Sequence, residues 1–412
     1  MKEIRWQAIE HIEDQIAPIL RAIDRVADFN QAKVLQAFHD AGIAETHLFG
    51  STGYGYDDRG REQLDEVFAR AFGAQKALVR PGLVSGTHAL TVALFALLRP
   101  GDTLLYATGM PYDTLYSVIG LRESGQGSLR DFGVSFASVD LTDQGTLDLK
   151  QILDHLTIST KVVAIQRSAG YAWRPALTIE QIGEAVRQIK SVRPDIYILV
   201  DNCYGEFTEL LEPSDVGVDL TVGSLIKNPG GGIAPTGGYL VGTNEAVEKA
   251  AYRMTAPGIG SESGSYENYR LFYQGLFLAP HIVSQALKGN VFAAQALTNA
   301  GYLCAPAPTQ ARGDIVLRIR LGSEQRLIAF CQAIQRYSPI DAHVMPQPWQ
   351  MPGYEDRVIM AAGAFVQGSS IELSADGPLR EPYIAYLQGG LTYSHVKIAI
   401  MQAMENLNAV TF

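Results

Sequence analysis

Cysteine is scarce in this 412-residue chain. Cys203, Cys304 and Cys331 are too few and too scattered for a disulfide framework or a zinc site, and a reducing compartment suits them. Basic blocks are missing as well. With a net charge of −10 the chain is a poor match for a nucleic-acid backbone, although a local pocket for a small anion stays open. Long apolar runs are lacking. The most apolar, Ala89–Leu98, is about half of the roughly 20 residues a spanning helix needs. Met1–Gln15 alternates charge with isolated apolar residues and has no signal-peptide core. A cytoplasmic protein with no membrane and no nucleic-acid partner is expected. There is no tandem repeat, no low-complexity tail and no G-x-G-x-x-G after a strand. Lys227 precedes Gly230–Gly232 rather than following it, so a Walker phosphate loop is excluded. The histidines show no metal-like spacing, and no metal site is expected.

What is present is globular composition, 47% apolar and 18% charged, at a length that suits two domains. Residues 1–45 form an N-terminal helical segment, because Ile9, Ile12, Ile16, Ile19, Leu20 and Ile23 recur at three- and four-residue spacing. Residues 46–265 read as a large domain. It opens with the turn-rich loop Gly50–Gly60. Strands follow at Ala77–Val79, Thr103–Tyr106, Ser135–Ser138, Val162–Ile165, Ile196–Val200, Leu220–Val222 and Tyr239–Val241, with helices between several of them at His88–Leu98, Asp113–Glu123, Leu149–His155 and Ile179–Ile189. Such alternation predicts a mainly parallel seven-stranded sheet covered by helices, with ligands at the carboxyl ends of its strands. Residues 266–300 suit a connecting helix. Residues 301–412 suit a smaller α+β domain with strands at Ile315–Ile319 and Ser370–Leu373 and a helix at Glu324–Tyr337.

Four features after strands suit one ligand. Ser85-Gly86-Thr87-His88 precedes an apolar helix whose N-terminus favours an anion, although an ordinary N-cap has the same form. Asp201 ends a buried strand, where a carboxylate needs a partner such as a protonated pyridine nitrogen; a helix cap or magnesium ligand is the alternative. Lys227 follows a strand amid apolar and small residues, where desolvation would depress its pKa and make it a nucleophile toward an aldehyde. Ser224 is within reach of a phosphate. Tyr112, in Met110-Pro-Tyr-Asp-Thr114, is placed to stack on a flat ring or to start a helix.

The order of these features resembles fold-type I pyridoxal-phosphate enzymes. Val200-Asp201-Asn202 with Gly223-Ser224 and Lys227 is similar to the cystathionine and methionine lyase group. Ser224–Gly232, Gln367–Pro378 and Gln388–Tyr393 resemble the methionine γ-lyase-like family, often labelled aluminium-resistance proteins. The resemblance covers nearly the whole chain. It implies pyridoxal 5'-phosphate held by Lys227 as a Schiff base, Asp201 on the pyridinium, Tyr112 stacked on the ring, and Ser85, Gly86, Thr87 and Ser224 around the phosphate. It further implies a homodimer or homotetramer in which Tyr56 and Arg59 reach a neighbour's phosphate, with Tyr54 a rival because the spacing departs from the usual lyase pattern. Lys227 would move the α-proton, with Lys227 or Tyr112 serving a second transfer, and a sulfur-containing amino acid would lose its thiol. An aminotransferase, or a cofactor-binding protein without turnover, is the alternative. A substrate carboxylate calls for an arginine fork. Arg380 is the first choice, with Arg167 and Arg174 as alternatives. Nothing in the sequence implies an aluminium site.

Overall fold

The computed structural model describes residues 5–122, 125–351 and 356–409. Its first half contains helices α1 (Trp6–Asp40), α2 (Arg59–Ala71) and α3 (Gly86–Leu97), with strands β1 (Lys76–Arg80), β2 (Thr103–Tyr106) and β3 (Ser135–Ser138) and the short helix α4 (Tyr116–Ile119). There follow α5 (Leu149–Asp154), β4 (Thr160–Gln166), α6 (Ile179–Val192), β5 (Tyr197–Asp201), β6 (Leu220–Ser224), β7 (Gly238–Gly242) and α7 (Asn244–Met254). The seven strands form one sheet in the order β1-β7-β6-β5-β4-β2-β3, with β7 antiparallel to both of its neighbours and the rest parallel. Their near-continuous Val, Ile and Leu content suits a sheet buried on both faces. Side-chain caps start the covering helices: Asp58 on α2, Ser85 on α3, Asp148 on α5, Thr178 on α6 and Thr243 on α7. The expected helix over 113–123 is shorter than its pattern implied. A 3-10 turn at Asp113–Leu115 leads into α4, which ends at Gly120 in the left-handed region (φ 92°). Glu123 lies outside the described residues.

The 30-residue helix α8 (Arg270–Asn299) leads to β8 (Leu303–Ala305), β9 (Val316–Arg320), α9 (Glu324–Arg336), β10 (Val358–Ala361), β11 (Ser374–Pro378), β12 (Ile384–Gln388) and α10 (Tyr393–Ala409). The five strands make an antiparallel sheet in the order β10-β11-β12-β9-β8. The strand expected at Ser370–Leu373 is displaced to Ser374–Pro378. Buried Glu372 accepts the amides of Phe365 and Val366, and the Ile371 carbonyl accepts the Gly390 amide, so this stretch is tied into a bend. Helix α1 serves both domains. Ile9, Ile12 and Ile16 join a core with Leu317, Phe330 and α8 residues such as Leu297, whereas Val34 and Ala37 pack with Leu64 and Phe68. Among the described residues no helix is long and apolar enough to cross a membrane.

Candidate active site

The carboxyl ends of β5 and β6 meet at one cavity of about 110 Å3. Asp201 ends β5 and is paired in register with Val222 of β6, and Lys227 follows β6 by three residues. Both line the cavity, together with Tyr112, Gln166, Cys203 and Tyr204 from the large domain and Asp376 and Tyr386 from the small one. Immediately after Lys227 the chain makes a tight turn against α8. A side chain on Gly230 would lie 1.7 Å from the Leu225 carbonyl oxygen, and one on Gly275 would lie 2.3 Å from the Gly230 oxygen. Only glycine at both positions lets turn and helix touch, and the turn sets where Lys227 emerges.

The Lys227 ammonium sits 3.9 Å from the centre of the Tyr204 ring. Its pKa is raised, which corrects the expectation of a depressed one. Desolvation does act downward, but attraction from Cys203, Tyr204, Asp201 and Glu206 outweighs it. Asp201 is itself raised by burial, opposed first by the charge of Lys227 and then by the Cys203 amide, which donates to Oδ1 at 3.1 Å. Burial pushes the Cys203 thiol well up, and the charge of Asp201 acts in the same direction. Near Lys227, Glu206 is fully buried. The Tyr239 hydroxyl donates to its Oε1 at 2.8 Å, Oε2 has no partner, and burial raises its pKa to about 8.

The segment Ser85–Thr87 adjoins this cavity through Gly86. A methyl group on Gly86 would be 3.4 Å from Cys203 Sγ and 3.6 Å from Ser224 Cβ. Ser85 Oγ accepts the His88 amide, and the Thr87 hydroxyl bonds that of Thr114 at 2.9 Å. The first-turn amides of α3 are the ones left without intrahelical partners. A lysine amine, a carboxylate at a strand end, a helix N-terminus and a buried serine therefore converge, and this donor set fits pyridoxal phosphate.

Other expected residues fall elsewhere. Tyr54 and Tyr56 are exposed and stack on each other at 5.6 Å, and Arg59, also exposed, begins α2. Their loop is tied to residues 262–264 through buried Arg61, which donates to the carbonyls of Gly55, Glu262 and Gly264. Arg380 lines a neighbouring cavity of about 170 Å3 with Asp356, to which it is ion-paired at 3.1 Å. The two cavities share Tyr171. Arg167 is corrected as a carboxylate fork. It is fully buried and donates to Leu177, Asn202, Gly205, Thr208 and Glu209. Arg174 donates to the carbonyls of Pro175, Gln166 and Ser168. Sequence reasoning passed over Tyr171, Tyr204, Asp376 and Tyr386. Asp376 stood inside the quoted Gln367–Pro378 motif, and its acid in an otherwise small, neutral strand was the available signal. A larger cavity of about 880 Å3, bounded by α1 residues such as Ile19 and Ile23, has no lysine or histidine in its lining and carries none of this chemistry.

This fold is that of the fold-type I pyridoxal-phosphate enzymes. The pyridoxal-phosphate-dependent protein YhfS of Escherichia coli shares it with a TM-score of 0.63 at 18% identity, over 94% of this chain and 97% of its own. The family model for methionine gamma-lyase matches residues 5–408, and the chain belongs to that family. It is 52% identical to the uncharacterised protein YnbB of Bacillus subtilis over 98% of this chain and 97% of YnbB. A Clostridium novyi structure described as a carbon-sulfur lyase involved in aluminium resistance superposes with a TM-score of 0.94 at 51% identity, over 98% of this chain and 96% of that one.

Proposed function

We propose that this protein is a pyridoxal-phosphate-dependent carbon–sulfur lyase that removes a thiol from a sulfur-containing amino acid by β- or γ-elimination. The observation that carries the reading is the convergence of Lys227 and Asp201 in one cavity beside the α3 N-terminus. Family membership and the carbon-sulfur lyase description of the Clostridium novyi relative support it. When bound, the cofactor supplies an aldehyde and an electron-withdrawing ring. Lys227 would hold it covalently and afterwards move the substrate α-proton at Nζ. Asp201 would keep the pyridine nitrogen protonated. Tyr112 would stack on the ring, while Gly86, Thr87, Ser85 and Ser224 would hold the phosphate. Nζ of Lys227 lies 3.9 Å from the centre of the Tyr204 ring, in the cavity that would receive the cofactor.

The catalytic unit would be a homodimer or homotetramer in the cytoplasm. Exposed Tyr56 and Arg59 lie outside their own chain's cavity and are free to reach a neighbour's phosphate. Arg380 remains the first choice for the substrate carboxylate, from a cavity that shares Tyr171 with the main one. The test is release of thiol and 2-oxo acid from cystathionine, methionine and cysteine. It is combined with visible absorption of the loaded protein and borohydride labelling of Lys227. Lys227→Ala is expected to abolish both colour and label. Transamination without thiol release from any of the three would overturn the lyase assignment, and a colourless, unlabelled parent would overturn the cofactor.

A further inference from the structure

The small-domain wall of the cavity carries a charge that the elimination chemistry does not use. Strand β11 alternates. Gly377 faces α9, where a methyl group on it would lie 2.7 Å from a Leu327 methyl, and Ala375 belongs to the same core. Asp376 and Pro378 face the other way, into the Lys227 cavity and its neighbour respectively. The Asp376 carboxyl is 7% exposed. The Tyr171 hydroxyl donates to it, but Oδ1 has no partner. An unpartnered oxygen on a buried acid carries a desolvation penalty and calls for an explanation. This one leaves an acceptor unused on a cavity wall. Tyr386, paired with Asp376 in register, packs on Tyr171 with ring centres 4.8 Å apart and planes tilted by 53°, and donates to the Tyr171 carbonyl, so both flanking rings are held in place.

We infer that Asp376 is a specificity residue that receives a cationic or strongly donating group on the substrate side chain, so that the preferred substrates are amino acids bearing a distal ammonium. The inference rests on the proposed function only in placing the amino-acid substrate in this cavity. A distal ammonium supplies the missing donor to Oδ1 and neutralises the acid in a site walled by tyrosines and Val316. An uncharged side chain, such as that of methionine, leaves the acceptor unpaired. Burial holds the Asp376 pKa at about 7, opposed by the Tyr171 hydrogen bond. The titratable groups around it are Tyr171 and Tyr386, Cys331 from α9 and, lining the same cavity, Tyr112, Asp201, Cys203, Tyr204 and Lys227. A bound cation therefore shifts Asp376 toward its ionised form and releases a proton near neutral pH.

The experiment uses the cofactor-loaded protein, with loading read first from its visible absorption. Binding of L-ornithine and of its neutral isostere L-norleucine, neither of which has a carbon–sulfur bond, is measured by calorimetry in two buffers of different ionisation enthalpy. L-Ornithine is expected to bind about ten- to a hundred-fold more tightly. Proton release is expected with ornithine and not with norleucine, and the preference should grow from pH 6 to pH 8.5. In Asp376→Asn both the preference and the proton release should vanish while norleucine binding holds. Equal binding of the two by the parent, or a preference that survives in Asp376→Asn, overturns the inference. A protein that loads and releases thiol but binds the probes equally keeps the lyase reading and loses this one. A protein that prefers ornithine and releases no thiol does the reverse.

Discussion

Glu206→Gln isolates the electrostatic cost of a carboxyl buried near Lys227. The Glu206 carboxyl is fully buried between Tyr239 and the backbone of β6, so close that a side chain on Gly223 would meet Oε1 at 2.6 Å. Its pKa stands near 8 in the folded chain against a reference of 4.5, chiefly through burial. Between those two pH values the folded protein holds a proton that the unfolded chain has lost. Stability from this group is therefore complete below pH 4.5 and drains away as the pH rises through 8. At about 1.4 kcal/mol per pH unit, the loss is about 3 kcal/mol by pH 7 and about 5 kcal/mol by pH 9. Glutamine has the same shape, keeps an oxygen for the Tyr239 hydroxyl and does not ionise. The variant should thus carry a roughly constant offset at low pH and gain on the parent as the pH rises. Urea unfolding of both proteins at pH 5, 7 and 9, at one protein concentration, reads the difference. A gap that stays flat across this range would mean that Glu206 is ionised throughout as a partner of Lys227, and would refute the reasoning.

Three further outcomes are expected. Arg167→Met removes a fully buried guanidinium and strands its Glu209 partner, which should cost about 3–5 kcal/mol in urea unfolding, against no more than about 0.5 kcal/mol for Arg380→Ala, whose ion pair is half-exposed. Arg380→Ala should instead raise KM with little change in kcat if its guanidinium holds the substrate carboxylate, and an unchanged KM would remove it from that role. If Arg59 completes the partner's site, mixing inactive Arg59→Ala and Lys227→Ala proteins under exchange conditions should restore up to about a quarter of parental activity, since half the dimers then hold one intact site of two. No recovery after verified exchange would place Arg59 in its own subunit's chemistry or outside it.

The large domain was legible because most of its strands are apolar and two of them deliver candidate site residues to one cavity. Asp201 ends β5 and Lys227 follows β6, so chain order alone placed the two groups that would bind cofactor at the same end of the sheet. What it did not convey was their mutual charge. Burial of Lys227 was readable, but Cys203, Tyr204, Asp201 and Glu206 reach it only through the fold, and together they reverse the expected direction of its pKa. The end of the 113–123 helix was misjudged for a local reason, since periodicity continued past the left-handed stop at Gly120.

The small domain hid its contribution for a different reason. Strand β11 reads Ser-Ala-Asp-Gly-Pro, with no β-branched residue and a proline, and local pattern placed the strand four residues too early, in the more apolar Ser370–Leu373. Its alternation is real but silent in hydropathy. Ala375 and Gly377 turn to α9, while Asp376 and Pro378 turn to the site, and neither pair is apolar enough to mark a face. Groups that would bind the cofactor sit at strand ends, where topology exposes them to inspection. Groups that would choose the substrate sit mid-strand on a second domain, aimed across an interface that α1 and α8 set by packing against both halves. The expected cofactor class is therefore readable from a strand-and-loop grammar, whereas substrate preference would depend on how two domains are clamped together. That division explains why Arg380, four residues beyond Asp376, drew attention while the acid facing Lys227 did not.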